Sequence, residues 1–298
     1  MVTRLTLLLL LALISIAALP AWPVPVQPAP AVTQSPAPVG SATDFARQKM
    51  INAKMDPLFI SAVEQGFDQE QAARILELNL LGFLGHADYS GHFSARAIRK
   101  CREFMRSKHS ALLNAQTRYG VAREVVTALL WVETKHGKTM GHLNVAGVFF
   151  TLLQADFPDH LLAVEQTARL QAPDYIELAK KIQLRAAQKS DWALAQLEAL
   201  EKVYLQKNTQ VMHWRGSYAG AFGVAQFIPS SYVSWAKARR PSRRPDLFET
   251  DDAISSVAFY LHTQGWKEND ARSQHDALFH YNASEGYVAV ILKLAHAL

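Results

Sequence analysis

The chain has 298 residues, 49% hydrophobic and 19% charged, which excludes a disordered or fibrous composition and leaves material for a sizeable core. Its only cysteine, Cys101, excludes an internal disulfide and a cysteine-based metal site. The net charge of +5 suits an anionic polymer, but no helix-turn-helix, zinc-finger or RNA-binding signature accompanies it, so nucleic acid is not an expected partner.

The first 21 residues, MVTRLTLLLLLALISIAALPA, carry one basic side chain, Arg4, and then an unbroken apolar run from Leu7 to Ile14. That is the pattern of a secretory signal. It is short for a permanent span, which needs about 20 apolar residues. No small-residue pair marks a clear cleavage point, so an uncleaved anchor is the alternative. Either reading exports the protein to the periplasm or cell envelope, soluble or anchored by that segment. Residues 22–43 continue a proline-dense stretch running from Pro20 to Pro38. Proline removes a backbone donor and fixes φ, so this segment is expected to be an extended tether.

From 44 to 298 nearly every segment reads as helix. GFDQEQAARILELNLLGFL opens with Asp68 as cap and Gln71 three residues on, a capping-box arrangement. A helix from Ser94 to Gly120 is basic on its outer face and carries Cys101, expected to be an inert buried thiol. The next spans Val121 to Gly137, and one or two follow between Asp174 and Gln206. DDAISSVAFYLHTQGW has Ala253, Ile254, Val257, Ala258 and Leu261 at helical spacing, with Thr250 or Asp251 as cap and Gly265 as stop. GYVAVILKLAHAL is apolar nearly all round, as a buried terminal helix would be. Alternating strand patterns are absent. The expected fold is all-α, with two lobes and a cleft.

Two stretches carry chemistry. In LLWVETKHGK, Glu133 continues the apolar stripe of Val125, Val126, Leu129 and Leu130, and it sits in the last turn before Gly137. Burial and the negative end of the helix dipole both disfavour the carboxylate and raise its pKa, as a general acid requires. The competing reading is an ion pair with Lys135 or Lys138 at the edge of the core. In RGSYAGAFGVAQFIPSSY, glycines and alanines leave the backbone almost bare, which allows close approach by a helix or by a ligand. Ser217, Tyr218, Gln226 and Phe227 add hydrogen-bonding groups and aromatic faces suited to a sugar polymer.

LLWVETKHGKTMG, GSYAGAFGVAQFIPSSY, DLFETDDAISSVAFYLHTQGW and HYNASEGY, in this order, resemble the membrane-bound lytic murein transglycosylase B family. The resemblance implies a lysozyme-like helical domain that cleaves the glycan strands of peptidoglycan without metal or organic cofactor. It places the single catalytic acid at Glu133 and supporting or saccharide-binding positions at Ser217, Gln226, Tyr281 and Asn282, to which Tyr218 and Phe227 are added here as subsite residues. The expected product carries a 1,6-anhydro ring. A hydrolytic muramidase and a catalytically silent wall-binding scaffold are the alternatives. The protein is expected to act as a monomer on peptidoglycan, with cell-envelope proteins as candidate partners. Asp251 and Asp252 are expected as helix caps, Glu285 as a solvated acid, and Glu249 as the candidate for a second carboxylate. The loop KARRPSRRPDLFE stands where relatives often bind calcium, but it lacks a ladder of oxygen ligands; a solvated basic loop is expected instead.

Overall fold

The computed structural model describes residues 40–85, 88–169, 175–206, 208–240 and 242–298. The apolar N-terminal run and most of the proline-rich tether therefore lie outside the described residues.

The fold is all-α, as the sequence pattern requires. In chain order the helices are α1 (Ala42–Asn52), α2 (Pro57–Gln65), α3 (Gln69–Leu81), α4 (Ala95–Ser107), α5 (His109–Tyr119), α6 (Arg123–Thr134), α7 (Val145–Leu152), α8 (Pro158–Arg169), α9 (Tyr175–Leu205), α10 (Pro229–Trp235), α11 (Thr250–Thr263), α12 (Ala271–Tyr281) and α13 (Glu285–His296). Two short strands, β1 (Leu143–Asn144) and β2 (Arg215–Gly216), pair antiparallel with Leu143 opposite Gly216.

Local signals explain most boundaries. The first helix starts at Ala42, two residues before the boundary expected from the tether, because Ser41 and Asp44 form a reciprocal capping box. Asp68 accepts from the N–H groups of Glu70 and Gln71 to start α3. The helix expected from Ser94 to Gly120 is two helices. It breaks at Lys108, one residue after the Ser107 hydroxyl turns back to the Phe104 carbonyl. Gly120 ends α5 in the left-handed conformation that glycine adopts without strain.

The helices pack in two groups. One holds α1 to α3 with α7 to α10, and the other holds α4 to α6 with α11 to α13. These are the two lobes. The second lobe is built around α6, buried from Val125 to Val132 and covered by α13, α4, α11 and α5. The glycine-rich segment joins the lobes, bonded to Asn79 of α3 and Thr134 of α6, and the β1–β2 pair flanks it. Trp214 fixes that junction: its ring stacks on Phe222 at 4.2 Å and meets Tyr232 edge-on at 4.9 Å.

The glycines there serve protein packing. A Cβ on Gly141 would lie 2.1 Å from the Gly216 carbonyl oxygen, so two backbones touch where β1 and β2 meet. Gly220 has φ +74°, and a Cβ there would lie 2.3 Å from the Phe149 ring. Of the two explanations for a bare backbone, close approach of protein is the one seen at these positions.

Candidate active site

Glu133 occupies the last turn of α6, and the chain reverses at once behind it. Lys135, His136 and Gly137 all have positive φ, at 53°, 58° and 90°. Two consecutive non-glycine residues in this region are costly, and such strain collects at functional sites. The reversal lets Thr134 reach across to the glycine-rich segment, where its hydroxyl donates to the Val224 carbonyl at 2.8 Å. Gln226 ties down the other side: its amide nitrogen donates to the carbonyls of Gly223 at 2.9 Å and Met140 at 3.2 Å. Gln226 itself has φ +49°, a further strained position.

From the opposite direction come α12 and α13. The Tyr281 hydroxyl donates to the Ala225 carbonyl. The Tyr287 hydroxyl donates to Glu133 Oε1. The two phenol rings lie nearly parallel, 6.3 Å between centroids, and Tyr89 meets Tyr287 edge-on at 5.8 Å. Glu133 is thus held among phenols at the meeting point of α6, α12, α13 and the segment 224–226.

The electrostatics follow from that packing. Glu133 keeps only a partial opening to solvent. Burial pushes its carboxyl from 4.5 up to about 7, against the opposing effects of the Tyr287 hydrogen bond and the Lys135 charge. Burial, with the Glu133 charge nearby, raises the phenols of Tyr281 and Tyr287 well above their usual value. Among the described residues Glu133 makes no ion pair with Lys135 or Lys138. Lys135 donates instead to His92 Nδ1 at 2.6 Å and lies over the Trp131 ring.

The other expected site residues separate into groups. Tyr281 lies beside Glu133, Gln226 follows the Ala225 carbonyl that accepts from Tyr281, and Asn282 follows Tyr281 in the chain. Asn282 is 5% exposed, and its Oδ1 has no donor from the described residues. A buried acceptor of this kind suits a substrate N–H. Ser217 directly follows β2 at the start of the glycine-rich segment, its hydroxyl accepting from the N–H groups of Ala219 and Ala221. Tyr218 is half-buried beside it, and its carbonyl accepts from Asn79 Nδ2. Phe227 is a correction: it is 3% exposed and packs against Tyr260 and Tyr281, so its ring supports the site from within and offers no face to a sugar.

The acids in the 240s and 250s are also corrected. Glu249 holds the N-cap position of α11, is exposed, and makes no side-chain cap bond. Asp251 and Asp252 are not caps; they bind the arginine-rich loop. Asp251 pairs with Lys108 at 3.0 Å and Arg239 at 2.6 Å. Asp252, wholly buried, accepts from the backbone N–H groups of Arg239 and Asp246, both at 2.9 Å, and pairs with Arg243 at 3.1 Å. The loop is therefore anchored from beneath, and the oxygens of Asp252 are committed to N–H donors, an arrangement that does not fit calcium. Asp252→Ala should cost about 3 kcal/mol, since it strands two buried backbone donors and removes the charge opposite Arg243. Chemical denaturation of the variant checks this.

Other residues fall outside the site. Cys101 is fully buried, and burial pushes its thiol up to about 12, so it is inert. His136 stacks on Phe104 at 3.9 Å and bonds the Thr127 carbonyl. His142 lines a pocket of about 360 Å³ with Asp68, Gln71 and Arg215, and Glu133 is not part of its wall. Glu285 is exposed, paired with His275 at 3.0 Å.

Sequence reading missed four groups. Tyr287 lies within HYNASEGY, and the Ser284 cap, bonded to its N–H, fixes it in the first turn of α13 facing inward. Lys135 was weighed only as a salt-bridge partner. Arg185 and Lys189, one turn apart on α9, make no ion pair among the described residues. Arg185 donates to the Asn79 carbonyl at 2.8 Å, and Lys189, 6% exposed, lies over Trp192. Burial, then the Arg185 charge, pushes the Lys189 ammonium down to about 7. Asn79 links Arg185 to the Tyr218 carbonyl.

A two-lobed helical fold with a single half-buried carboxylic acid at the end of its central helix is the lysozyme-like arrangement of lytic transglycosylases. The chain belongs to the family described as Transglycosylase SLT domain, whose model matches residues 83–275. It is 26% identical over 167 residues to the Escherichia coli (strain K12) membrane-bound lytic murein transglycosylase B. That alignment takes in 56% of this chain and 38% of that protein, so the chain matches well under half the length of this curated relative. Among solved structures it is similar to E. coli lytic transglycosylase SLT35 in complex with bulgecin A, with a TM-score of 0.64 and 17% identity. That match covers 87% of this chain and 93% of the other. It is also similar to SltB3 from Pseudomonas aeruginosa in complex with NAG-NAM-pentapeptide, with a TM-score of 0.60, 17% identity, and coverage of 85% and 77%.

Proposed function

We propose that the chain is a lytic transglycosylase that cleaves the β-1,4 bond between N-acetylmuramic acid and N-acetylglucosamine in peptidoglycan, with Glu133 as its single acid and base. The observation that carries this reading is the setting of Glu133: a carboxyl lifted to about 7 by burial, given one hydrogen bond by Tyr287, and with no other carboxylate in contact among the described residues. Family membership supports it, as does the peptidoglycan fragment bound by SltB3.

The chemistry follows from having one carboxyl where ordinary glycosidases use two. Protonated Glu133 donates to the bridging oxygen, and the bond from that oxygen to C1 of the muramic acid breaks. The substrate's own 2-acetamido oxygen takes the place of a second carboxylate and bonds C1. The glucosamine leaves with its new hydroxyl. Glu133, now ionised, removes the proton of the C6 hydroxyl. The C6 oxygen then bonds C1, displaces the acetamido oxygen, and closes the 1,6-anhydro ring. Glu133 ends protonated, and no water is consumed. An acid that must give and retake a proton works best with a pKa near the working pH.

Within this reading Asn282 orients the acetamido group through its partnerless Oδ1, and Gln226, Ser217, Tyr218 and Tyr281 border the sugar subsites. Arg185, linked to the Tyr218 carbonyl through Asn79, supplies a cation suited to carboxylates of the stem peptides. Residues 1–21 serve as export signal or anchor and the proline-rich segment as tether, which puts the catalytic domain against the wall in the envelope. The test is release of soluble muropeptides from purified sacculi. Release by the wild-type chain is expected, and its absence would leave only a wall-binding role.

A further inference from the structure

Helix α4 carries Arg96, Arg99, Lys100, Arg102 and Arg106 against a single acid, Glu103. Lys100 takes that acid at 2.6 Å. Among the described residues Arg99, Arg102 and Arg106 make no ion pair. They follow one another at three and four residues, so their like charges line one side of the helix and repel. Arg96 stands in the first turn, where the positive end of the helix dipole disfavours a cation. Each of these costs is small alone, but all have one sign, and an anion would reverse them.

The arginines border a concave surface. With Ala95 and Ile98 of α4, and with Ala297 just past the end of α13, they line a groove of about 450 Å³. Arg102 is fixed in its wall, where Nη2 donates to the Ala297 carbonyl at 2.8 Å. Its other N–H groups stay available, since a guanidinium has five. The groove therefore sets guanidinium forks beside methyl groups. It lies on the exposed side of α4. The buried side, with Ala97, Cys101 and Phe104, faces the core, and α4 packs there on α6, the helix of Glu133.

Arg99 and Arg106 are about 10 Å apart along the axis at the helical rise, and about three residues of extended peptide span that length. A short peptide with carboxylates so spaced, and small apolar side chains between them, matches both the charges and the methyl groups of the groove. A lipid surface matches less well. A helix seated on a bilayer inserts large apolar side chains, and the exposed ones among the described residues stand on other segments, none on α4.

We propose that this groove is a second wall-contact site, separate from the cleft of Glu133, which binds carboxylates of peptidoglycan stem peptides and holds the domain on the wall between cuts. It rests on the reading of peptidoglycan as the substrate. Stem peptides carry alanine methyls and free carboxylates, and arginine takes a carboxylate with two parallel N–H bonds. Contact through the stems leaves the sugars of the strand free to enter the cleft.

The experiment is co-sedimentation of the full chain with purified sacculi. All proteins carry Glu133→Gln, so that the wall stays intact. The parent is compared with Arg99→Gln/Arg102→Gln/Arg106→Gln and with the triple lysine variant, on untreated sacculi and on sacculi whose carboxylates have been amidated. Arg99→Gln/Arg106→Gln keeps the Arg102 bond to Ala297 and serves should the triple glutamine variant fold poorly. The glutamine variants should bind untreated sacculi about tenfold more weakly, and the lysine variant should fall between them and the parent. Amidation should weaken the parent about tenfold and leave the glutamine variants unchanged. Parent-like binding by the folded glutamine variants would overturn the proposal, as would an equal effect of amidation on them. A loss confined to phosphatidylglycerol vesicles, with sacculus binding unchanged, would assign the arginines to a membrane and also overturn it. Muropeptide release by the wild type tests the reading of Glu133 separately: a chain that binds through the arginines but releases nothing would refute that reading and leave this site standing.

Discussion

Glu133→Gln should lower glycan cleavage by at least about 10³-fold, because the same carboxyl gives and retakes the proton and a general acid or base alone contributes about 10²–10⁴-fold. Glutamine keeps the shape and can still accept from Tyr287, so the fold should survive. The stability of the variant carries a second signature. The carboxyl of the folded chain titrates near 7, above the 4.5 of an ordinary glutamate. The unfolded chain therefore releases this proton first as pH rises, and the wild type loses stability between about 4.5 and 7 from this one group. Glu133→Gln cannot lose it. The variant should match the wild type near pH 4 and melt at a higher temperature above pH 7. Melting curves at the two pH values check the sign, and an equal or lower melting temperature for the variant at pH 8 would contradict the burial argument.

Tyr287→Phe should have the second largest effect. Its hydroxyl donates to Glu133 Oε1, and that bond favours the ionised acid. Removing it leaves burial with less opposition, so the Glu133 pKa should rise and the alkaline limb of activity should move to higher pH. The developing carboxylate loses a donor in a water-poor site, which should lower kcat about 10- to 100-fold with little change in KM. The ring still packs between Tyr89 and Tyr281, so the melting temperature should fall only slightly. A change confined to KM would show that Tyr287 contacts sugar and does not tune the acid.

How much of this was written in the sequence differs by residue. Helical geometry places Glu133 on the stripe of Val125, Val126, Leu129 and Leu130, which left a buried acid and an ion pair both open, and only the resemblance to the transglycosylase family singled it out as the acid. The all-α class followed from the same periodicity. Tyr287 was not legible, since a tyrosine on an apolar terminal helix reads as core until its hydroxyl is seen to reach another helix 154 positions away. Phe227 failed in the reverse direction: an aromatic beside polar residues suggested a stacking face, yet Tyr260 and Tyr281 enclose its ring. Asp251 and Asp252 stood where helix caps stand, and local pattern cannot reveal that Lys108, Arg239 and Arg243 come to them. The glycines at 216 and 220 were read as open to helix or ligand, and three-dimensional packing decided for the Ala221 carbonyl and the Phe149 ring. Side-chain periodicity reports one face of one helix. It does not report which distant group fills the space opposite.

The central claim is that one carboxyl does the work of two, so the sugar's own hydroxyl replaces water. The most direct measurement is mass spectrometry of the ends of muropeptides released from purified sacculi by the wild-type chain, with Glu133→Gln as control. The account predicts 1,6-anhydro ends with the wild type and no release with the variant. Reducing ends from the wild type would show that water is the acceptor and would contradict it.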